Sequence, residues 1–196
     1  MQPNQFILAS DSPRRKLLLR NMDISFNIQS PNVIEDDSSY LDPIELVYNN
    51  GLLKANAVAK TNPNALVLGS DTTVSLEGRI FPKPQDFEKA VEMLIDLSGK
   101  WHSVYTSIAL LWHAGGFQEI HVDRSRVRLK ELSKDLILKY YKHVCPLDKA
   151  GAYGIQEASE MIIEETQGSI ETIMGLPTQL LQKLLKENGF EFKLCD

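Results

Sequence analysis

Cysteine is scarce in this chain. Cys145 and Cys195 are the only two among 196 residues, too few and too far apart for a disulfide framework or a zinc knuckle. The four histidines, His102, His113, His121 and His143, show no His-x-x-x-His or comparable ligand spacing, which argues against a structural transition-metal site. No apolar run reaches the length of a membrane span, and the first residues lack the basic-then-apolar pattern of a signal peptide. The expectation is therefore a protein of the reducing cytoplasm with no membrane partner. Positive charge is not in excess either. With 21 Lys and Arg against 26 Asp and Glu, the net charge is −5, which argues against a general binder of nucleic-acid polymers. Low-complexity tracts, internal repeats and linker-like composition shifts are missing as well, so residues 1–196 are expected to form one domain.

What is present is an alternation of strand and helix signals, the mark of an α/β chain. Residues 6–9 read as a first strand, 25–29 as a half-exposed second strand and 32–42 as a polar, acidic loop. Between Pro43 and about Lys60 the apolar positions follow helical spacing, with Lys54 at the border of the stripe. Residues 65–68 form the continuous apolar run of a strand covered on both faces. The prolines at 82 and 84 demand extended chain over 81–84. A helix through Phe87, Ala90, Val91, Leu94 and Ile95 follows and stops at Ser98 and Gly99. Residues 101–112 and 119–129 read as two long strands joined around Gly115 and Gly116. Ser133 caps a helix to about His143, and 148–156 is a glycine-punctuated loop. A strand at 161–165, a helix at 176–186 and a closing strand at 190–194 complete the pattern.

Chemistry concentrates in a few places. Ser10-Asp11-Ser12-Pro13-Arg14-Arg15 joins the first strand to the first helix, with Ser12 as N-cap and Pro13 at the first helical position. Two cations in a first helical turn oppose the helix dipole, at a cost of about 0.3–1 kcal/mol each. That arrangement makes sense where free N–H groups, the hydroxyls of Ser10 and Ser12 and two guanidinium forks meet a phosphate; a solvated surface pair is the competing reading. Asp71 directly follows a buried strand, where α/β proteins place ligands, although position alone suits a turn-forming cap equally well. Lys83 is stiffened by its flanking prolines, as suits a cation that must be placed. Gln156 offers both donor and acceptor for a base edge or a water. Glu35 reads alone as a solvated charge or a metal ligand. Cations, carboxylates and a helix N-terminus in an acidic protein together suit a magnesium-bound polyphosphate.

The chain resembles the Maf family of nucleoside triphosphate pyrophosphatases. The resemblance rests on six ordered segments: Ile7-Leu8-Ala9-Ser10-Asp11-Ser12-Pro13-Arg14-Arg15, Gly69-Ser70-Asp71-Thr72, Lys83-Pro84, Leu97-Ser98-Gly99-Lys100-Trp101-His102-Ser103-Val104, Asp148-Lys149-Ala150-Gly151-Ala152-Tyr153-Gly154-Ile155-Gln156 and Gly175-Leu176-Pro177. It implies an elongated, two-lobed α/β molecule with a twisted mixed sheet, flanking helices and a central cleft, related to the inosine triphosphate pyrophosphatase fold. It further implies that Ser10, Arg14, Arg15, Lys54, Lys83 and Gln156 bind substrate and that Asp71 is the catalytic acid/base. Glu35 and Asp71 are implied as ligands of a divalent cation, Mg2+ or Mn2+. The Gly154-Ile155-Gln156 form is similar to the branch acting on dTTP and UTP rather than on 7-methyl-GTP. Other modified nucleotides, or binding without catalysis in the control of septum formation, are the alternatives. Family members often form homodimers, and the long hairpin strands offer an edge for one. The chain departs from the usual pattern at Glu157, where glycine is typical, at Ile170-Glu171-Thr172, at Ser70 and at Pro82; the first of these bears on base selectivity.

Overall fold

The structure is a computed structural model that describes residues 2–36 and 42–192. Its spine is a hairpin of two long antiparallel strands, β6 (Trp101–Trp112) and β7 (Phe117–Leu129), paired from Trp101↔Arg128 to Trp112↔Phe117. One edge of β6 carries two partners in succession. Its C-terminal end pairs with β3 (Leu66–Gly69), which continues the sheet through β1 (Phe6–Leu8) to β2 (Asn27–Ile28), both in parallel register. Its N-terminal end pairs with β4 (Thr72–Leu76), which carries β5 (Arg79–Phe81). On the other side β7 pairs with β8 (Ile163–Gln167). The result is one mixed sheet with two ends, each covered by its own helices.

Side chains on β6 alternate between faces, and one face supplies both cores. Ile108, Leu110 and Trp112 pack with β1, β3, Leu18 and Leu19 of α1 (Pro13–Arg20) and Leu181, Leu184 and Leu185 of α7 (Thr178–Glu187). Val104 packs instead with Val91, Leu94 and Leu97 of α3 (Phe87–Leu97) and Ile137 and Tyr140 of α4 (Lys134–Tyr140). On the opposite face, Ala109 and Leu111 meet Ala55, Val58 and Ala59 of α2 (Pro43–Ala59). Burying a leucine or valine is worth about 1.5–3 kcal/mol, so these three clusters hold the helices against the sheet without help from the few surface ion pairs.

The joint between β3 and β4 matters most for the site. Gly69 faces Ala109 and Thr72 faces Thr106, so two residues on each strand lie between the paired stretches and the register passes through unbroken. Asp71 is fixed there by backbone: Ser107 N donates to its carbonyl at 2.9 Å. Its own N–H donates to Ser107 Oγ at 3.1 Å, while Ser107 Oγ donates to Val47 O of α2 at 2.6 Å. A Cβ on Gly51 would collide with that same Oγ, and one on Gly69 would collide with the backbone of α2. Two glycines thus let α2 lie directly on the joint.

Several expectations need correction. The hairpin of β4 and β5 was not anticipated; it turns on Glu77 and Gly78, both at positive φ, the two-residue loop that matches strand twist. Residues 161 and 162 belong to the one-turn helix α5 (Ser159–Ile162), and the strand begins at Ile163. A short helix, α6 (Ile170–Met174), precedes Gly175. The second strand shrinks to Asn27–Ile28, and α4 ends at Tyr140 rather than His143. Residues 190–192 do not form a strand: Phe190 and Phe192 instead pack aromatic rings on the first core. Residues 193 and 194 lie outside the described residues.

Candidate active site

A cleft of about 640 Å³ opens beside the β3–β4 joint, and all eight residues singled out from the sequence line it: Ser10, Arg14, Arg15, Glu35, Lys54, Asp71, Lys83 and Gln156. They come from six separate stretches of chain. The β1–α1 turn brings Ser10 and both arginines. Ser12 caps the helix through Arg15 N at 3.5 Å with Pro13 at its start, and Ser10 Oγ accepts from Ser12 N at 3.2 Å.

Arg15 is the most constrained of them. Its guanidinium donates to Gly175 O at 2.8 Å, to Ser10 Oγ at 3.3 Å and to Thr72 Oγ1 at 3.1 Å. All three acceptors are neutral, and among the described residues no carboxylate lies within ion-pair distance. Burial lowers its pKa, with the charges of Asp71 and Glu35 acting in the opposite sense and Arg14 adding to the depression. A buried charge without a counter-ion costs several kcal/mol even after relaxation, a cost that an anion entering the cleft would offset.

Asp71 and Lys54 form the second focus. Lys54 Nζ lies 2.7 Å from Asp71 Oδ1 and 2.5 Å from Glu35 Oε2, and also donates to Ser70 O at 3.4 Å. Asn50, one helical turn earlier on α2, donates to Asp71 Oδ2 at 3.2 Å. The same Asn50 amide donates to Asp36 O at 2.7 Å and accepts from Asp36 N at 3.0 Å, which ties down the loop bearing Glu35. Each Asp71 oxygen is therefore held by one donor, leaving about two of its four acceptor sites for a ligand or water. Helical spacing of four residues puts Asn50 and Lys54 on one face; Asn50 is absent from the sequence-predicted site, and that spacing is the signal that could have found it.

The remaining wall is the loop that follows Cys145. Arg14 reaches across to it, with Nη1 2.8 Å from Asp148 Oδ2 and Nη2 donating to Asp148 O at 3.2 Å. Lys149 is buried and holds Asp148 at 2.9 Å, Glu157 at 3.3 Å and Cys145 O at 2.9 Å. Glu157, the departure noted above, is thus compensated within the wall. Burial pushes the Asp148 carboxyl up, but hydrogen bonds from Lys149 and Arg14, with their charges, hold it below the usual range. The loop is pinned from behind by Tyr140, whose hydroxyl accepts from Gly154 N at 3.0 Å, and by Tyr141, which donates to Ala152 O at 3.0 Å. Tyr153 and His102 Nε2 share a hydrogen bond of 2.7 Å. Gly151 at φ 69° sits on Val74 and makes the close turn. Lys83, on the extended segment after β5, is exposed and pairs with none of the described residues. Thr72 and Gly175 lie in two of the family-like segments, but the sequence assigns neither a role, and no local pattern marks Ser107.

A divalent cation would find only hard oxygen ligands here. Glu35 and Asp71 match the one or two carboxylates that Mg2+ takes from proteins, with phosphate and water filling the rest. Among the described residues no group of three or more His, Cys, Asp or Glu forms a self-sufficient metal site. No helix among them is long and apolar enough to cross a membrane.

Fold and cleft together define an α/β protein whose cleft sets several cations beside a fixed carboxylate. The family model described as Maf-like protein matches residues 5–188, and the chain belongs to that family. It is 36% identical to the dTTP/UTP pyrophosphatase of Dictyoglomus thermophilum, covering 95% of this chain and 97% of the relative. With the protein of the same description from Thermotoga maritima it shares 40% identity, covering 95% and 90%. The one from Bacillus cytotoxicus is also 40% identical, covering 93% and 95%. Among solved structures, the Ham1 protein of Staphylococcus aureus matches with a TM-score of 0.51 at 14% identity, covering 93% of this chain and 98% of that one. That likeness concerns the fold alone.

Proposed function

We propose that this protein hydrolyses dTTP or UTP to the nucleoside monophosphate and pyrophosphate. The observation that carries the reading is Arg15, a buried guanidinium bonded only to neutral oxygens that lines the same cleft as Asp71. The descriptions of the relatives supply the nucleotides.

In this reading the triphosphate lies along the α1 N-terminus. Arg15 and Lys83 meet its charge directly, and Arg14 does so on leaving Asp148. Donors already in place offset negative charge as it moves onto the departing pyrophosphate. Water attacks the α-phosphorus in line with the leaving oxygen, and Asp71 orients that water and accepts its proton. Lys54 and Asn50 keep the Asp71 carboxylate from rotating. Glu35 and Asp71 would hold a divalent Mg2+ or Mn2+, which when bound neutralises phosphate charge and acidifies water. At the other end, the Gln156 amide can donate to the C4 carbonyl and accept from N3–H of uracil or thymine, the two groups these bases share.

The test is a panel of dTTP, UTP, dCTP, GTP and 7-methyl-GTP with magnesium, reading phosphate after added inorganic pyrophosphatase. Turnover of dTTP and UTP above the others is expected. Turnover of 7-methyl-GTP in preference would move the protein to the other branch. Tight dTTP binding without pyrophosphate release would overturn the catalytic reading.

A further inference from the structure

Between the two cores that share β6 stands one polar side chain, Thr106. It is completely buried, flanked on its face by Val104 in one core and Ile108 in the other. A valine would fill the same space, and a buried hydroxyl must instead find partners. Thr106 Oγ1 donates to Thr172 O at 2.7 Å. A hydroxyl has a single proton, so only lone pairs remain to face Thr72 Oγ1, 3.0 Å away. Thr72 must then donate to Thr106, and it presents only lone pairs to Arg15 Nη2 at 3.1 Å. Proton order is fixed from end to end: guanidinium to Thr72, Thr72 to Thr106, Thr106 to carbonyl. The last acceptor is itself anchored, because Thr172 Oγ1 donates to Asp123 Oδ2 of β7 at 2.5 Å.

We propose that Thr106 is a positioning residue for phosphate binding. Its committed proton obliges Thr72 to accept from Arg15, and so sets the plane in which the guanidinium meets a phosphate. Without that obligation the Thr72 hydroxyl is free to turn its proton toward Arg15, and two donors then face each other. The inference rests on the cleft being a triphosphate site. It adds a device that neither the helix N-terminus nor the carboxylate supplies: a cation oriented by a one-way hydroxyl chain running through the seam between two cores.

The experiment uses the full chain and two readouts, calorimetric binding of inorganic tripolyphosphate and steady-state hydrolysis of dTTP. Thr106→Val, which keeps shape and removes the hydroxyl, is expected to weaken tripolyphosphate binding about tenfold, the scale of a hydrogen bond to a charged group. Thr106→Ser restores the hydroxyl and stays near the parent protein. In an Arg15→Lys background, where the fork that contacts Thr72 is gone, Thr106→Val has little further effect. An equal loss in both backgrounds, or serine failing as badly as valine, shows a packing role and overturns the proposal. Should Thr106→Val not fold, Thr72→Val interrupts the chain one link nearer the site and is read the same way. Intact tripolyphosphate binding with no pyrophosphate released from dTTP would sink the hydrolase reading while leaving the positioning role to be judged on binding alone.

Discussion

Arg14 and Asp148 hold each other at 2.8 Å from two walls of the cleft, so one of the cations that a triphosphate would engage is already engaged by the protein. The pair is partly exposed, and such pairs are worth about 0.2–1 kcal/mol. Asp148→Asn releases Arg14 and is expected to lower the KM for dTTP by up to about fivefold with kcat unchanged. Steady-state kinetics decide it: a raised KM would mean that Asp148 instead aims Arg14 at the substrate.

Asp71→Asn keeps an oxygen for Lys54 and removes the proton acceptor. The expected result is a kcat reduced by at least about 100-fold, the low end for losing a general base, with dTTP binding close to the parent value. Rapid-quench assays and equilibrium binding on one preparation read both quantities. Near-normal turnover would remove Asp71 from its role.

Gly51→Ala tests the packing at the joint. In an exposed helix interior this change stabilises by about 0.8–1 kcal/mol. Here the added methyl meets Ser107 Oγ, which carries Asp71 N and Val47 O. The sign is expected to reverse, with a loss of about 1–3 kcal/mol typical of overpacking. Urea denaturation measures it, and a stabilised variant would show that α2 is free to shift.

His102 gives a pH signature. Burial lowers its pKa from 6.5 to about 4. Between those values the unfolded chain binds a proton that the folded one refuses, so stability falls as pH drops from 6.5 toward 4 and its share of the loss levels off below. The full effect is of order 3 kcal/mol at 1.36 kcal/mol per unit. Thermal melts of the parent and His102→Gln from pH 7 to pH 4 should converge toward the acid end; parallel curves would contradict a buried neutral imidazole.

Much of this molecule was legible in its residues because the signals are local. The capped α1, the stripe of α2 and the long hairpin follow from spacing and turn chemistry, and all eight candidate site residues line one cleft. What escaped notice was short or non-local. The β4–β5 hairpin hides behind a Thr-Thr-Val-Ser-Leu stretch that is half polar, and α6 is only five residues long. Asn50 sat unread on a stripe judged by its apolar members.

The sequence alone determined which chemistry was on offer: Pro13 and Ser12 to open a helix, two arginines in its first turn, an aspartate after a buried strand. It also determined that a strand–helix alternation would carry them. Only the tertiary structure decided who meets whom. Arg15 lies against a carbonyl 160 residues away, and Thr106 at a seam whose two sides belong to different cores. Such meetings carry no local propensity, since they are selected by the closing of long loops and the packing of apolar faces around β6.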